Sequence, residues 1–439
     1  MVKVMLIGNG AREHAIAEAL VNSGAELRAF MNKKNPGIAR LANGHFRIDD
    51  LENFEHATAF ASGCDFIVVG PEAPLVVGIA NAFDSAGIPC VGPAIDAAQL
   101  EGSKIFTRTL LKKSNNPINI EFATFTTMDG IPAFVDQLGM ENVVVKPDGL
   151  TGGKGVKVFG EHMKSKDEIF AYCKEIFHQG GRVVIEERLD GEEFTLQTFV
   201  DGKTILPTPL VQDHKRAYEN DEGPNTGGMG SYSMQDHLLP FITREDVEYS
   251  IANMKKAIDA LKQETGTAYK GFLYGQFMKT KKGVKLVEFN ARFGDPEAIN
   301  ILPIMTTSFT NVCQSIVDGS LHKMKAEFKN AATVVKYLVP AGYPDKPAVN
   351  SPIIVDEDGL KKIGARLYYA SVNQKDDGTI VTSSSRTIGI LGIAGTIEQA
   401  EAIAEKGTAL VSGNLFHRKD IGSKELLQKR IDHMKKVNA

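Results

Sequence analysis

Over its first hundred residues the chain alternates short apolar runs with helical patterns, and no other feature of the sequence narrows its fold as far. Apolar runs fall at 2–7, 27–31, 66–69 and 89–91, and helical spacing at 12–23, 51–62 and 75–86. Strand, helix and strand in repeated succession predict a parallel sheet joined by right-handed crossovers, a doubly wound α/β domain. Ligands on such sheets bind beyond the carboxyl ends of the strands. The loops at 8–14 and 70–75 are expected to lie there.

At 439 residues the chain is too long for a single core. From about residue 104 the strands lengthen and are expected to pair locally, 183–187 with 194–200 and 271–278 with 284–290, with helices at 166–177 and 244–262. This α+β texture runs to about residue 326. A third segment carries strands near 333–339, 366–371, 380–382 and 388–392, and helices near 396–411 and 423–436. The expected division is 1–103, 104–326 and 327–439, without internal repeat or low-complexity linker.

Composition excludes several function classes. Apolar residues make up 43% and charged residues 24%, and the formal net charge of −4 offers no long-range attraction to nucleic acid or an anionic membrane. An anionic substrate must then be held by a local basic site. The apolar start at 2–7 is too short for a signal peptide, and the most apolar longer stretch, 66–83, carries Glu72 and two prolines, which argues against a membrane span. Cys64, Cys90, Cys173 and Cys313 lie far apart without a C-x-x-C pair. Reduced core thiols and a cytoplasmic location are expected.

Gly8-Asn9-Gly10-Ala11-Arg12-Glu13 follows a strand and opens a helix, so its backbone amides and the helix dipole make an anion site. It departs from the dinucleotide fingerprint. Glu13 stands where the third glycine belongs, and the second strand ends Phe30-Met31-Asn32 without an acid. A plain strand–helix turn and a site for a phosphate-bearing substrate both stay open for this motif. The run Lys146-Pro147-Asp148-Gly149-Leu150-Thr151-Gly152-Gly153-Lys154-Gly155 is close to a P-loop. However, three residues rather than four separate Gly149 from Gly153, and Gly155 occupies the place of the magnesium-binding hydroxyl. A flexible glycine loop carrying Lys154 beside a strand ending at Lys146 can fold over phosphates; a hairpin tip without function is the plainer alternative. The loop at 149–155 is expected to close only over bound nucleotide.

Glu288 and Asn290 are two apart on a strand, so both side chains leave one face, while Val287 and Phe289 make the other apolar. Such an oxygen pair beside Arg292 suits a magnesium ion bridging phosphates, against the plainer reading of a polar edge. If 281–283 is a three-residue turn with Gly283 left-handed, Gln276 falls opposite Glu288 and completes a cluster for one or two metal ions. Asp295-Pro296 reads as a helix N-cap and first helical residue. The acids of 186–193 would ordinarily be a solvated strand end; in a nucleotide site the backbone there reads an adenine edge and Glu193 holds ribose hydroxyls. The mixed charges at 212–216, followed by the glycine-rich loop at 223–230, suggest a lid that excludes water. His14 and His214 lack the Ser or Cys partner of a nucleophilic mechanism and are read as hydrogen-bonding or structural.

Together these blocks resemble the glycinamide ribonucleotide synthetases (phosphoribosylamine–glycine ligases), a family of ATP-grasp ligases. The resemblance is carried by GNGAREH at 8–14, VGPEAPLVVG at 69–78, AQLEGSK at 98–104, KPDGLTGGKGV at 146–156 and EERLDGEE at 186–193. It continues through DHKR at 213–216, GPNTGGMGSYS at 223–233, GFLYGQFM at 271–278, EFNARFGDPE at 288–297 and RKDIG at 418–422, collinear over essentially the whole chain. Ala11 replaces a glycine common in the first loop, and Pro147 and Gly152 stand where alanines are frequent; none of these removes a functional group.

The resemblance implies an N-terminal substrate-binding (pre-ATP-grasp) domain at 1–103, an ATP-grasp core at 104–326 with a mobile small lobe at about 120–190, and a small C-terminal α+β domain at 327–439 that closes the site. It implies that glycine is joined to 5-phosphoribosylamine in purine biosynthesis, with ATP cleaved to ADP and phosphate through a glycyl phosphate. By the same resemblance Lys104, Lys146, Lys154, Glu186, Glu187, Leu189 and Glu193 bind ATP, and Gln276, Glu288 and Asn290 bind one or two Mg2+ or Mn2+ ions. Arg292 and Lys146 are the implied catalytic residues, and Gly10, Glu13, Glu72, Asp213, Lys215 and Arg292 the implied substrate-binding set. Only small-molecule partners are implied (glycine, 5-phosphoribosylamine and ATP), with no nucleic acid or membrane, and the chain is expected to be a monomer. The chemistry agrees: an acyl phosphate must be shielded from water, and phosphoryl transfer needs alignment and charge neutralisation more than acid–base groups. The rival readings are another ATP-grasp carboxylate–amine ligase, a nucleotide-dependent dehydrogenase and a non-catalytic nucleotide-binding module.

Overall fold

A computed structural model of the chain describes all of residues 1–439 except Thr151, Gly153 and Lys154. The strands Lys3–Ile7, Glu26–Met31, Phe46–Ile48, Phe66–Val69 and Cys90–Val91 form one sheet in which every neighbouring pair is parallel. Lys3–Ile7 lies at its centre between Glu26–Met31 and Phe66–Val69, so the topological switch point falls at the loops after the first and fourth strands. Val4, Leu6, Phe66 and Val68 enter one core and Met5, Ile7, Ile67 and Val69 another, because helices cover both faces. The doubly wound domain read from the sequence is present. The helix expected at 75–86 is instead two, Glu72–Val76 and Ile79–Ser85, parted at Gly78, whose φ of 100° only glycine adopts without strain. The helix Pro36–Leu41 and the three-residue strand Phe46–Ile48 are too short for their periodicity to be read.

Among the described residues the central part of the chain builds two four-stranded sheets, besides the short pair Arg216–Tyr218 and Glu222–Asn225. Phe122–Phe125, Val183–Glu187, Val143–Pro147 and Lys157–Val158 form the smaller one, which packs with Ile131–Leu138 and Lys166–His178 around a core of its own. Ile205–Pro207, Gly191–Asp201, Lys270–Thr280 and Gly283–Asn290 form the larger, antiparallel throughout. The expected pairing of 183–187 with 194–200 is therefore wrong: these segments belong to different sheets, and the chain crosses between them at 188–190. Gly191 permits the entry into the second sheet, since a Cβ there would stand 1.9 Å from the Lys279 carbonyl oxygen.

The hairpin of Lys270–Thr280 with Gly283–Asn290 does set Gln276 opposite Glu288, by a different route from the one expected. Thr280 pairs with Gly283 across a two-residue turn, Lys281-Lys282, and a bulge at Val287 restores the lost residue. The C-terminal sheet takes in two strands from before residue 327, Gln212–Asp213 and Gly230–Ser233, beside Ala332–Pro340, Ile388–Ala394 and Arg366–Tyr369. This end of the chain docks on the N-terminal domain: Asn35 Nδ2 donates to the Tyr369 carbonyl at 2.8 Å, and the Tyr369 amide donates to His14 Nδ1 at 3.0 Å. Burial, helped by Arg40, pushes His14 down to about 3, so it is a neutral acceptor. Among the described residues no helix is long and apolar enough to cross a membrane.

Candidate active site

Lys146 and Glu186 lie on adjacent antiparallel strands in diagonal register, which turns both side chains to the same face of the smaller sheet. Glu186 accepts from Lys146 Nζ at 2.6 Å and from Arg108 Nε and Nη2 at 2.7 and 3.2 Å, with all three side chains buried. Burial would raise the Glu186 carboxyl, but Arg108 and Lys146 outweigh it and hold it at about 2. Arg108 also donates to the carbonyls of Leu286 and of the bulged Val287, at 3.1 and 2.8 Å, and so ties the two sheets together. Lys104, the first residue of the helix Lys104–Lys113, donates to the Gly149 carbonyl at 2.7 Å. Burial and the nearby Lys146 lower its pKa despite Glu288.

On the facing sheet Asn290 Nδ2 reaches Glu288 Oε1 at 3.3 Å, so the two do share a face. Gln276 is fully buried and donates Nε2 to Glu193 Oε2 at 2.7 Å. Its carbonyl oxygen accepts from Thr195 Oγ1 at 2.9 Å and from the Tyr274 hydroxyl. Gln276 thus presents hydrogen rather than oxygen to its acidic neighbour, and only a half-turn of its amide would make it a ligand. Among the described residues no three His, Cys, Asp or Glu side chains gather as a metal site. One carboxylate with two carboxamides suits a hard cation that draws its remaining oxygens from a nucleotide.

Lys215 Nζ lies 2.6 Å from Glu193 Oε2 and 3.6 Å from Asp213 Oδ2. Burial would lower Lys215, but Asp213 and Glu193 raise it, so it stays charged. Glu297 accepts from Tyr274 OH at 2.9 Å, and burial, with the charge of Asp213, pushes it up to about 7.

The first turns of the helices that follow the first and fourth strands, at the carboxyl end of the parallel sheet, supply Arg12 and Glu72. Arg292 Nε donates to Glu72 Oε2 at 3.1 Å, and its Nη2 lies 2.9 Å from Glu101 Oε1. Arg12 Nη2 stands 3.7 Å from the same Glu72 oxygen and its Nη1 donates to the Phe293 carbonyl at 3.1 Å. Burial would raise Glu72, but Arg292 and Arg12 hold it at about 2; burial of Glu101 prevails and lifts it to about 7.

Apart from Gln276 and Thr195, these charged and polar side chains open onto one cavity of about 1040 Å³, whose walls come from both central sheets, the N-terminal loops and the C-terminal segment. Residues 2–101 match the phosphoribosylglycinamide synthetase N domain, 102–298 its ATP-grasp (A) domain and 333–424 its C domain. The chain belongs to the phosphoribosylglycinamide synthetase family. It is 49% identical over 437 residues to the phosphoribosylamine–glycine ligase of Thermococcus gammatolerans, covering 99% of this chain and 98% of that protein. It is 49% identical over 445 residues to the enzyme of the same name from Methanocaldococcus jannaschii, covering 99% and 100%. The crystal structure of phosphoribosylamine–glycine ligase from Thermotoga maritima superposes with a TM-score of 0.81 at 28% identity, over 95% of this chain and 100% of that one. N5-carboxyaminoimidazole ribonucleotide synthetase from the same organism, at 15% identity and a TM-score of 0.64 over 94% and 99% of the two chains, shares the fold.

Within this phosphoribosylglycinamide synthetase fold, most of the sequence-predicted site residues meet. Lys104, Lys146, Glu186, Glu187, Leu189, Glu193, Glu72, Asp213, Lys215, Glu288, Asn290 and Arg292 all line the cavity. Gln276 lies behind its wall, and Lys154 is outside the described residues, as is most of what the expectation for the loop at 149–155 concerns. Gly10 and Glu13 are a correction. Glu13 Oε2 accepts from the Gly10 amide at 2.6 Å and Oε1 from Arg12 Nε at 2.6 Å, so the helix opening expected to receive an anion is filled by its own third residue.

One further expectation fails. Asp295 is not an N-cap; the cap of Glu297–Ile301 is Pro296, and the Asp295 carboxylate instead meets Arg386 and Tyr337. In the loop at 223–230, which the sequence suggested as a lid, the Gly227 and Gly228 carbonyls accept from Arg386 at 2.7 and 3.1 Å. Sequence reasoning passed over Arg12, Glu101, Arg108, Glu297 and Arg386. Arg12, Glu101 and Glu297 lie inside quoted motifs and were available to it. Arg108 and Arg386 gain their roles through contacts with distant segments that no spacing reveals.

Proposed function

We propose that this chain ligates glycine to 5-phosphoribosylamine, forming glycinamide ribonucleotide, ADP and phosphate, in purine biosynthesis. The observation that carries the reading is the meeting, on one cavity of a phosphoribosylglycinamide synthetase fold, of a lysine pair, an oxygen-donor strand and an arginine–carboxylate corner. A glycine carboxylate oxygen attacks the γ-phosphorus of ATP, ADP leaves, and the resulting glycyl phosphate is attacked at its carbonyl carbon by the amine, which expels phosphate. Lys104 and Lys146 neutralise the phosphates, with Lys146 drawn from Glu186 when nucleotide enters. The 186–189 backbone and Glu193 hold adenosine, and Lys154 covers the phosphates. Glu288 and Asn290, with Gln276 after its amide has turned, hold Mg2+ or Mn2+, one or two ions, which supply charge neutralisation at the transferring phosphoryl group.

Arg292 orients the glycine carboxylate or the transferring phosphoryl group, while Glu72, Asp213, Lys215 and Arg12 hold phosphoribosylamine. Glu13 serves this set indirectly, by fixing Arg12 and Gly10. The amine loses a proton as it attacks, and Glu297, a buried carboxyl on the cavity wall whose proton affinity burial and Asp213 raise, is suited to take it. The reading assigns 1–103 to the substrate domain, 104–326 to the ATP-grasp core with its small lobe at about 120–190, and 327–439 to the closing domain. It also makes the protein a cytoplasmic monomer acting on small molecules. Release of ADP that requires both glycine and phosphoribosylamine, each omitted in turn, is the expected result. ADP release indifferent to either one, or replaced by dependence on another acid or amine, overturns it.

A further inference from the structure

Arg386 lies between the strands Ile380–Thr382 and Ile388–Ala394, well inside the C-terminal segment, yet its side chain is only 13% exposed and faces the ATP-grasp core. Its Nη1 donates to three carbonyls, those of Gly227 at 2.7 Å, Gly228 at 3.1 Å and Asp295 at 2.7 Å. Its Nη2 stands 3.3 Å from Asp295 Oδ2, and the guanidinium plane covers the Tyr337 ring at 4.6 Å. The Tyr337 hydroxyl donates to the other Asp295 oxygen. A planar fork can serve a turn, a neighbouring carbonyl and a carboxylate together; a point charge on a flexible stem cannot.

Asp295 is where three parts of the chain meet. A side-chain carbon at Gly10 would come within 3.7 Å of Asp295 Oδ2, so this carboxylate faces the N-terminal loop that carries Arg12. Gly227, Asp295 and Arg386 all border the cavity. The contacts of Arg386 go to the glycine turn and to Asp295, not to Lys104, Lys146, Glu186 or Glu288. With Tyr337 on one oxygen and Arg386 on the other, the Asp295 carboxylate is fixed, and each oxygen keeps a lone pair for a further donor. A fixed carboxylate repels phosphate and attracts hydroxyl or amine hydrogen.

We infer that Arg386 is a positioning residue for the amine substrate: it holds the Gly227-Gly228 turn and sets Asp295 to accept a hydrogen bond from the ribose hydroxyls or amine of phosphoribosylamine. This rests on the function proposed above. It gives the C-terminal segment a part in recognition, where the sequence assigned it only closure.

The test is steady-state kinetics on the full-length enzyme, varying each of the three substrates in turn, with Arg386→Lys as the charge-conserving variant. KM for phosphoribosylamine should rise roughly tenfold or more, because charged hydrogen bonds that orient its partner are lost. KM for ATP and for glycine should stay within about twofold. If Arg386 is only a staple between domains, the variant melts earlier while all three KM values stay put or move together, and the inference is overturned. Should Arg386→Lys fail to fold, Tyr337→Phe removes one hydroxyl from Asp295 and keeps the ring; an unchanged KM for phosphoribosylamine there is equally fatal. A wild-type enzyme that releases no ADP with all three substrates sinks the functional reading and this inference with it. One that turns over normally, with no selective change in either variant, sinks this inference alone.

Discussion

Replacing Glu186 by Gln removes one charge from the ion cluster that joins Lys146 and Arg108 and changes almost nothing else in volume. The carboxylate is buried and receives three charged donors within 3.2 Å. Its pKa of about 2 in the folded chain, against ~4.3 when free, corresponds to roughly 3 kcal/mol of stability at neutral pH. Breaking a buried ion cluster from one side costs about 3–5 kcal/mol, because the partners are left facing each other uncompensated, and the two figures agree. Since folding lowers this pKa, the contribution is complete above ~4.3 and is lost as pH falls towards about 2. Thermal unfolding followed by circular dichroism, on wild type and Glu186→Gln from pH 7 down to pH 3.5, should show the variant melting on the order of 5 °C lower at pH 7. The gap should begin to narrow below pH ~4.3, where the unfolded wild-type chain takes up the proton that the folded carboxylate still refuses. A variant that melts with wild type at pH 7, or a gap of the same size at both ends of the range, refutes the reasoning.

Glu288→Ala should abolish ADP release while leaving the melting temperature nearly unchanged, because this side chain is only half-buried and faces the cavity; near-normal turnover in saturating magnesium would remove it from the metal set. Gln276→Ala should raise the magnesium concentration needed for half activity and also cost about 1–3 kcal/mol of stability, since it takes a partner from the buried Thr195 and Tyr274 and a donor from half-buried Glu193. A metal titration that does not move would mean that its amide never turns. His14 should stay neutral in proton NMR titrations until close to pH 3. Because the unfolded chain takes up that proton near pH ~6.5, stability should fall from there downward, and His14→Gln should flatten the slope of melting temperature against pH between 6.5 and 4.

The sequence by itself determined whatever local chemistry enforces. Continuous apolar runs alternating with helical patterns are satisfied by a parallel sheet covered on both faces, and that sheet is present with its two loops at the switch point. Two-residue spacing put Glu288 and Asn290 on one face because strand geometry leaves no alternative. The collinear motifs placed the chain among ATP-grasp ligases, and twelve of the residues they nominated border one cavity. Tertiary structure decided the partners. Whether 183–187 pairs with the strand that follows it depended on where the whole small lobe sits, and it pairs with Phe122–Phe125 and Val143–Pro147 instead. Whether Gly10 offers a free amide depended on the rotamer of Glu13, which closes that site from within. Gln276 reached its expected register through a shorter turn and a bulge that compensate each other. Arg108, Glu101 and Arg386 gained their roles only when folding brought them to Glu186, Arg292 and Asp295, at separations of 78, 191 and 91 residues. Hydrogen bonds and ion pairs act over a few ångströms of space, and the order of residues along a chain fixes such distances only within one element or one turn.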